Sequence, residues 1–207
     1  MEHITELAQN IGLFIAGVVI VYTTIRRELK NYFKKQRSIV TDKLPYQSAI
    51  DVKITDRLEY VKELLDADII HIYEFHNGEH YADGRSALKF SCTYESLRAG
   101  VETIRTHCLN VPIACMPKFI SEILDKGKLT CSDIEKFKEK DPSTYNFKKT
   151  LGMESFADYA IRNKDGKIVG FVAIIWKNAK KFEDNEEEIK KLVFYIEEVL
   201  LKNINVN

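Results

Sequence analysis

The chain has 207 residues, room for one domain of about 100–200 residues plus an appendage. Lys plus Arg and Asp plus Glu number 31 each, giving zero net charge, and 45% hydrophobic with 30% charged residues is globular composition. That excludes wholesale disorder, collagen-like repeats and a polytopic membrane protein, and argues against a general nucleic-acid binder, whose phosphate affinity needs surplus Lys and Arg.

The charge is uneven along the chain. Residues 1–37 carry six basic and three acidic residues. Ile11 to Ile25 contains no charge, and extending the run back to Ile4 gives 22 residues, roughly 33 Å of helix. The chain begins with Glu2 and Glu6 and follows its apolar run with Arg26 and Arg27, the reverse of a cleavable signal peptide. The expectation is an uncleaved single-pass anchor. Arg26, Arg27, Lys30, Lys34, Lys35 and Arg37 all lie after it and no Lys or Arg precedes it, which puts the N-terminus outside and the C-terminal domain in the cytoplasm.

Residues 1–37 are thus read as anchor and basic juxtamembrane segment, 38–46 as a linker bent by Pro45, and 47–207 as the folded domain. Ile50, Ile54, Leu58, Val61 and Leu65 make a narrow stripe on a helix, the pattern of a helix–helix seam, and predict dimerisation there. Asp68–Phe75 and Ala87–Tyr94 read as strands around Asn77-Gly78 and Asp83-Gly84. Pro117–Asp125 and Ser132–Lys138 read as short helices, the second opened by a capping box at Ser132-Asp133-Ile134-Glu135. Ser155–Arg162 and Lys167–Lys177 flank Asn163-Lys164-Asp165-Gly166, the strongest hairpin signal in the chain. Ile189, Leu192, Val193, Ile196, Val199 and Leu200 define a last amphipathic helix with Glu186, Glu187 and Glu188 in its first turn.

This order, with Leu151-Gly152-Met153-Glu154-Ser155, the Asp165-Gly166 turn, Ile168 to Ile174, Lys177-Asn178 and Phe182, resembles a GAF domain. The resemblance covers residues 50–202 and implies an α+β fold: a transmembrane helix followed by a GAF-like antiparallel sheet with flanking helices, a ligand cavity on one sheet face and the terminal helices on the other. Cyclic-nucleotide-binding members carry Asn-Lys, then Phe, then Asp-Glu; here Asn178, Ala179, Phe182, Glu186 and Glu187 keep only a fragment of that motif.

Four residues are the candidate ligand contacts. Tyr94, Glu95 and Arg98 leave the second strand where the resembled fold opens its cavity, and His76 ends the neighbouring strand. Against that stands an Arg98–Glu95 ion pair and a turn-capping His76. Tyr159 and Trp176 line either the cavity or the helix face. His76, Glu79, His80 and Asp83 are the possible metal group, with a polar loop as the plainer reading. Cys92, Cys108, Cys115 and Cys131 show no paired zinc spacing and read as reduced core thiols, although Cys115 with His107 or His76 is a conceivable catalytic pair. No cofactor is specified. The expected function is a membrane-anchored sensory or regulatory module that binds a small molecule or partner, homodimeric and acting on a separate output protein. A ligand-free adaptor is the alternative, and a Cys/His enzyme the more remote one.

Overall fold

The computed structural model describes residues 2–178 and 185–201; the side chains of residues 2–14, 16, 35–42 and 201 lie outside that description. Contacts divide the chain into two units, Met1–Ala49 and Ile50–Asn207.

The first unit is helical. It belongs to α1, Glu2–Leu64, which runs unbroken through Pro45 and through the segment 38–46 expected as a bend. One proline removes a single N–H and crowds one carbonyl, a local cost of about 3 kcal/mol that helical neighbours on both sides absorb here. The transmembrane helix expected at Ile11–Ile25 is not found: among the described residues no helix is long and apolar enough to cross a membrane. Side chains 11–14 and 16, which belong to that run, are outside the description. Those described in it are open to solvent, with Val18, Val19, Ile20, Val21, Tyr22 and Ile25 each more than half exposed.

The second unit is an α+β domain built on one antiparallel sheet. Its strands are β1 (Ile69–His76), β2 (Lys89–Leu97), β3 (Val111–Pro112), β4 (Lys128–Cys131), β5 (Ser155–Arg162) and β6 (Ile168–Trp176). They run in the order β3-β2-β1-β6-β5-β4. The expected hairpin joins β5 to β6, with Gly166 at φ 75°, a left-handed position that glycine adopts without strain. Gly170 answers a different need. A Cβ there would sit 2.0 Å from the Tyr73 carbonyl oxygen, so β1 and β6 approach as they do only because this side chain is absent.

One face of the sheet is closed by the end of α1 and by α5 (Glu186–Ile196). Ile54, Leu58, Val61 and Leu65 pack there against Ile70, Ile72, Val172, Ile174 and Trp176, with Ile189, Leu192 and Ile196 of α5 beside them. Each such side chain contributes about 1.5–3 kcal/mol on burial. The stripe read as an intersubunit seam is therefore consumed inside one chain, because the back of the sheet needs an apolar cover and Leu58 is 1% exposed. Tyr159 and Trp176 belong to this layer too, and the Trp176 indole donates to the Leu65 carbonyl at 3.2 Å.

The opposite face is covered by the chain between β2 and β5: α2 (Pro117–Lys126), α3 (Phe137–Lys140), α4 (Pro142–Thr150) and three short 3-10 turns. The capping-box segment starts one residue late. Asp133, not Ser132, is the N-cap, its carboxylate accepting from the Glu135 amide, and it opens a 3-10 turn that runs into α3. Phe90, Phe119, Phe137, Phe156, Phe171 and Tyr73 form the core on this side.

Candidate functional site

Successive strand residues point to opposite faces, so cross-strand partners share one. The register pairs Asp158 of β5 with Ala173 of β6, Ala173 with His71 of β1, and His71 with Glu95 of β2. A single row thus crosses four strands on the face away from α1 and α5: acid, alanine, imidazole, acid. Asp158 and His71 lie two strand spacings apart, about 10 Å, with only the Ala173 methyl between them.

A bulge makes the row possible. Ile72 pairs with Tyr94 but Tyr73 pairs with Cys92, so Thr93 is an extra residue in β2. Without it Cys92 and Glu95, three apart, would face opposite ways. With it, Cys92 joins Tyr73 and Glu95 joins His71 on one face.

The polar groups are bonded in sequence. The Thr103 hydroxyl donates to Glu95 Oε2 at 2.6 Å, and Glu95 Oε1 lies 2.8 Å from His71 Nε2. His71 Nδ1 is 2.7 Å from the Tyr73 hydroxyl, and that oxygen is joined to the Cys108 thiol. Burial alone would push the Glu95 carboxyl up, but the bonds from His71 and Thr103 hold it below its ordinary value. Burial also lowers the His71 pKa against the opposing pull of Glu95. An ionised Glu95 beside a neutral imidazole fixes the roles: His71 Nε2–H donates to Glu95, and the Tyr73 O–H donates to Nδ1. Desolvation raises Tyr73 well above its usual range and drives the Cys92 and Cys108 thiols up, so neither sulfur is a ready thiolate.

At the other end of the row Lys148, from α4, reaches down to Asp158. The Nζ–Oδ2 distance is 2.6 Å, and the two side chains are 4% and 0% exposed. The ammonium also lies 3.8 Å from the Phe156 ring centroid and 5.0 Å from that of Phe119. Desolvation raises the Asp158 pKa against the pull of Lys148. Asp158 Oδ1 has no hydrogen-bond partner; among the described residues it is the only such buried side-chain atom on this face.

The four expected contacts do not converge. Glu95 lies in the row. Tyr94 turns to the helix side and donates to Asp51 of α1 at 2.5 Å. His76 ends β1 on that same side, with Nε2 2.9 Å from the Ser91 hydroxyl. Arg98 pairs with Asp66 and Asp68 beyond the end of the strand, not with Glu95. Among the described residues no group of His, Cys, Asp and Glu is placed to hold a metal ion, and His76 bonds to Ser91 and Asn77 rather than to the exposed Cys115. Ala179 and Phe182, of the nucleotide-motif fragment, lie outside the described residues.

Lys148, Asp158 and Tyr73 escaped the sequence reading, as did the part that His71 plays in a buried row. Their signal was available: a carboxylate inside Ser155–Arg162 and an imidazole inside Ile69–Phe75 sit in strands otherwise apolar on that face, and a buried charge needs a partner.

No family model matches the sequence, and no curated protein matches it. Solved structures do. The phycocyanobilin-bound GAF domain from a cyanobacterial phytochrome is 15% identical, with a TM-score of 0.55, over 80% of this chain and 94% of that one. This is a GAF fold. The GAF domain region of a putative membrane protein from Geobacter sulfurreducens is similar at 12% identity and a TM-score of 0.55, over 77% and 97% of the two chains. The blue-light absorbing form of the PixJ GAF domain from Thermosynechococcus elongatus gives 16% and 0.54, over 76% and 89%. At such identities the likeness speaks to the GAF fold alone.

Proposed function

We propose that this chain is a membrane-anchored regulatory module whose cytoplasmic GAF-fold domain responds to a small molecule held against the polar row. The observation that carries the reading is the row itself. Titratable groups shifted by burial and by specific charge partners cluster at functional sites, and here they are bonded to one another inside an apolar layer. The free acceptor Asp158 Oδ1 favours a ligand that brings a neutral N–H or O–H donor, since Lys148 already balances the carboxylate. Of the residues expected from sequence to bind, Glu95 is the one retained. That the similar domains include a bilin-bound one supports a small-molecule ligand, and no more than that.

Anchoring is supported by the charge-free run Ile11–Ile25, by the all-round exposure of its described apolar side chains, and by the basic cluster that follows it. A similar solved domain comes from a putative membrane protein. The one-sided charge favours an outside N-terminus, and output then passes to a separate protein.

One observation favours the adaptor reading. Phe90 is 1% exposed, stands edge-on to Tyr73 and Phe171 at 5.4 and 5.5 Å, and helps fill the layer a ligand would enter. Native mass spectrometry of the detergent-solubilised full chain, with thermal-shift screening of nucleotides, amino acids and metal salts, separates the two. A ligand at 100 times its Kd adds about 2.7 kcal/mol. A hit lost in Glu95→Gln and kept in Arg98→Ala supports the row. No co-purifying mass and no shift with any compound leaves the adaptor.

A further inference from the structure

The first unit carries a pattern that the domain does not use. From Ile4 the residues Ala8, Ile11, Ile15, Val18, Tyr22, Ile25, Leu29 and Tyr32 follow at alternating steps of four and three. That is the a/d repeat of a coiled coil sustained for four heptads. It continues as Gln36, Ile39, Lys43 and Tyr46, with two polar residues at a positions. Between Ile11 and Ile25 nearly every residue is apolar and the repeat discriminates little. After it, charged residues alternate with the stripe, and Arg27, Lys30 and Lys34 fall at the outer f and b positions.

α1 is helical over all of this stretch, and Ile15, Val18, Tyr22, Ile25, Leu29 and Tyr32 are 51–62% exposed. We infer that this face is the seam of a parallel two-stranded coiled coil with a second copy of the same chain. A bilayer covering Ile11 to Ile25 does not account for a repeat that runs on to Ile39, about 21 Å further along the helix at about 1.5 Å per residue. Six side chains at roughly 100 Å² each, with the flanking e and g residues, approach the ~800 Å² per partner of a stable interface. In a parallel pair the flanking positions set Val21 against Arg26 and Glu28 against Phe33, so no like charges oppose there. The polar a residues Gln36 and Lys43 fix register at some cost in stability. The parallel direction rests on the anchored reading above; the seam does not.

The test is a cysteine scan of the full chain in membranes, on a Cys115→Ser background that removes the exposed native thiol. Copper–phenanthroline oxidation should cross-link Ile25→Cys, Leu29→Cys, Tyr32→Cys and Tyr46→Cys several-fold more than Arg27→Cys, Lys30→Cys and Lys34→Cys. Leu29→Glu should cut the Tyr46→Cys yield several-fold while leaving the melting of the C-terminal domain unchanged. Equal yields at all positions, or a maximum at Arg27 or Lys34, overturns the seam. Cross-linking at only one of Ile25→Cys and Tyr46→Cys overturns the parallel direction. A chain that cross-links with this period but leaves the membrane fraction removes the anchor and keeps the coil; a membrane-bound chain with a flat profile does the opposite.

Discussion

Replacing Lys148 with Met strands the Asp158 carboxylate in the core. At 2.6 Å and an effective dielectric near 20, the attraction in the pair is about 6 kcal/mol. Desolvating each ion costs several kcal/mol, so the intact pair lies close to break-even. Removing one partner does not. The expected loss is about 3–5 kcal/mol, and at about 2–4 °C per kcal/mol the domain should melt roughly 10 °C lower at pH 8. Asp158 then escapes by taking a proton. Its pKa, already raised by burial, rises further once the lowering influence of Lys148 is gone. The folded acid is then protonated at pH values where the unfolded one is ionised, so the deficit shrinks on acidification by up to about 1.4 kcal/mol per pH unit. Urea denaturation of the detergent-solubilised full chain between pH 5 and 8 measures both effects. Lys148→Met with Asp158→Leu, which removes both charges, should recover most of the loss. A single-variant deficit below about 1 kcal/mol, or one that ignores pH, would refute this account of the pair.

Leu58→Glu should unfold the C-terminal domain rather than separate subunits, since it buries a carboxylate where the side chain is 1% exposed; a folded monomer by circular dichroism and sedimentation would contradict that placement. Gly170→Ala drives a methyl against the Tyr73 carbonyl and should cost more than about 2 kcal/mol, read as a fall in Tm, and an unchanged Tm would show that β1 and β6 separate easily. His71 is held below its ordinary pKa of 6.5 by burial, so its contribution to stability is complete above that pH and is lost as pH falls below it. His71→Gln should flatten the slope of stability against pH in that window, and an unaltered slope would mean that the imidazole is not the group taking up the proton.

Local chemistry made much of the domain legible. Asn163 to Gly166 can close only a tight turn, and Pro117 with the acid-led α5 marks helix starts, so these elements lie where the residues place them. The layer covering the site was less legible. Its 3-10 turns and four-residue α3 carry no sustained period, and their positions follow from packing over Phe90 and Phe171. The site was harder still. Tyr94, Glu95 and Arg98 look like one cluster because they are close in sequence, yet strand alternation sends Tyr94 and Glu95 to opposite faces and Arg98 lies beyond the end of the strand. His71 and Asp158, 87 residues apart, become neighbours in one row only through the strand register. Pro45, a breaker by local rules, was overruled by the helix around it.

Thr93 gives β2 two reading frames. Residues up to Cys92 are phased with one end of β1, and residues from Tyr94 onward with the other. Drawing that residue into a regular ladder would not lengthen the strand so much as exchange its faces downstream, turning Glu95 toward the helices and Tyr94 toward His71. A relative with a strand of the same length but a regular ladder at this point would thus present a phenol where this chain presents a carboxylate, with every other strand unchanged. An alignment scored on identity alone would run through without a gap and pair residues that never occupy the same side of the sheet.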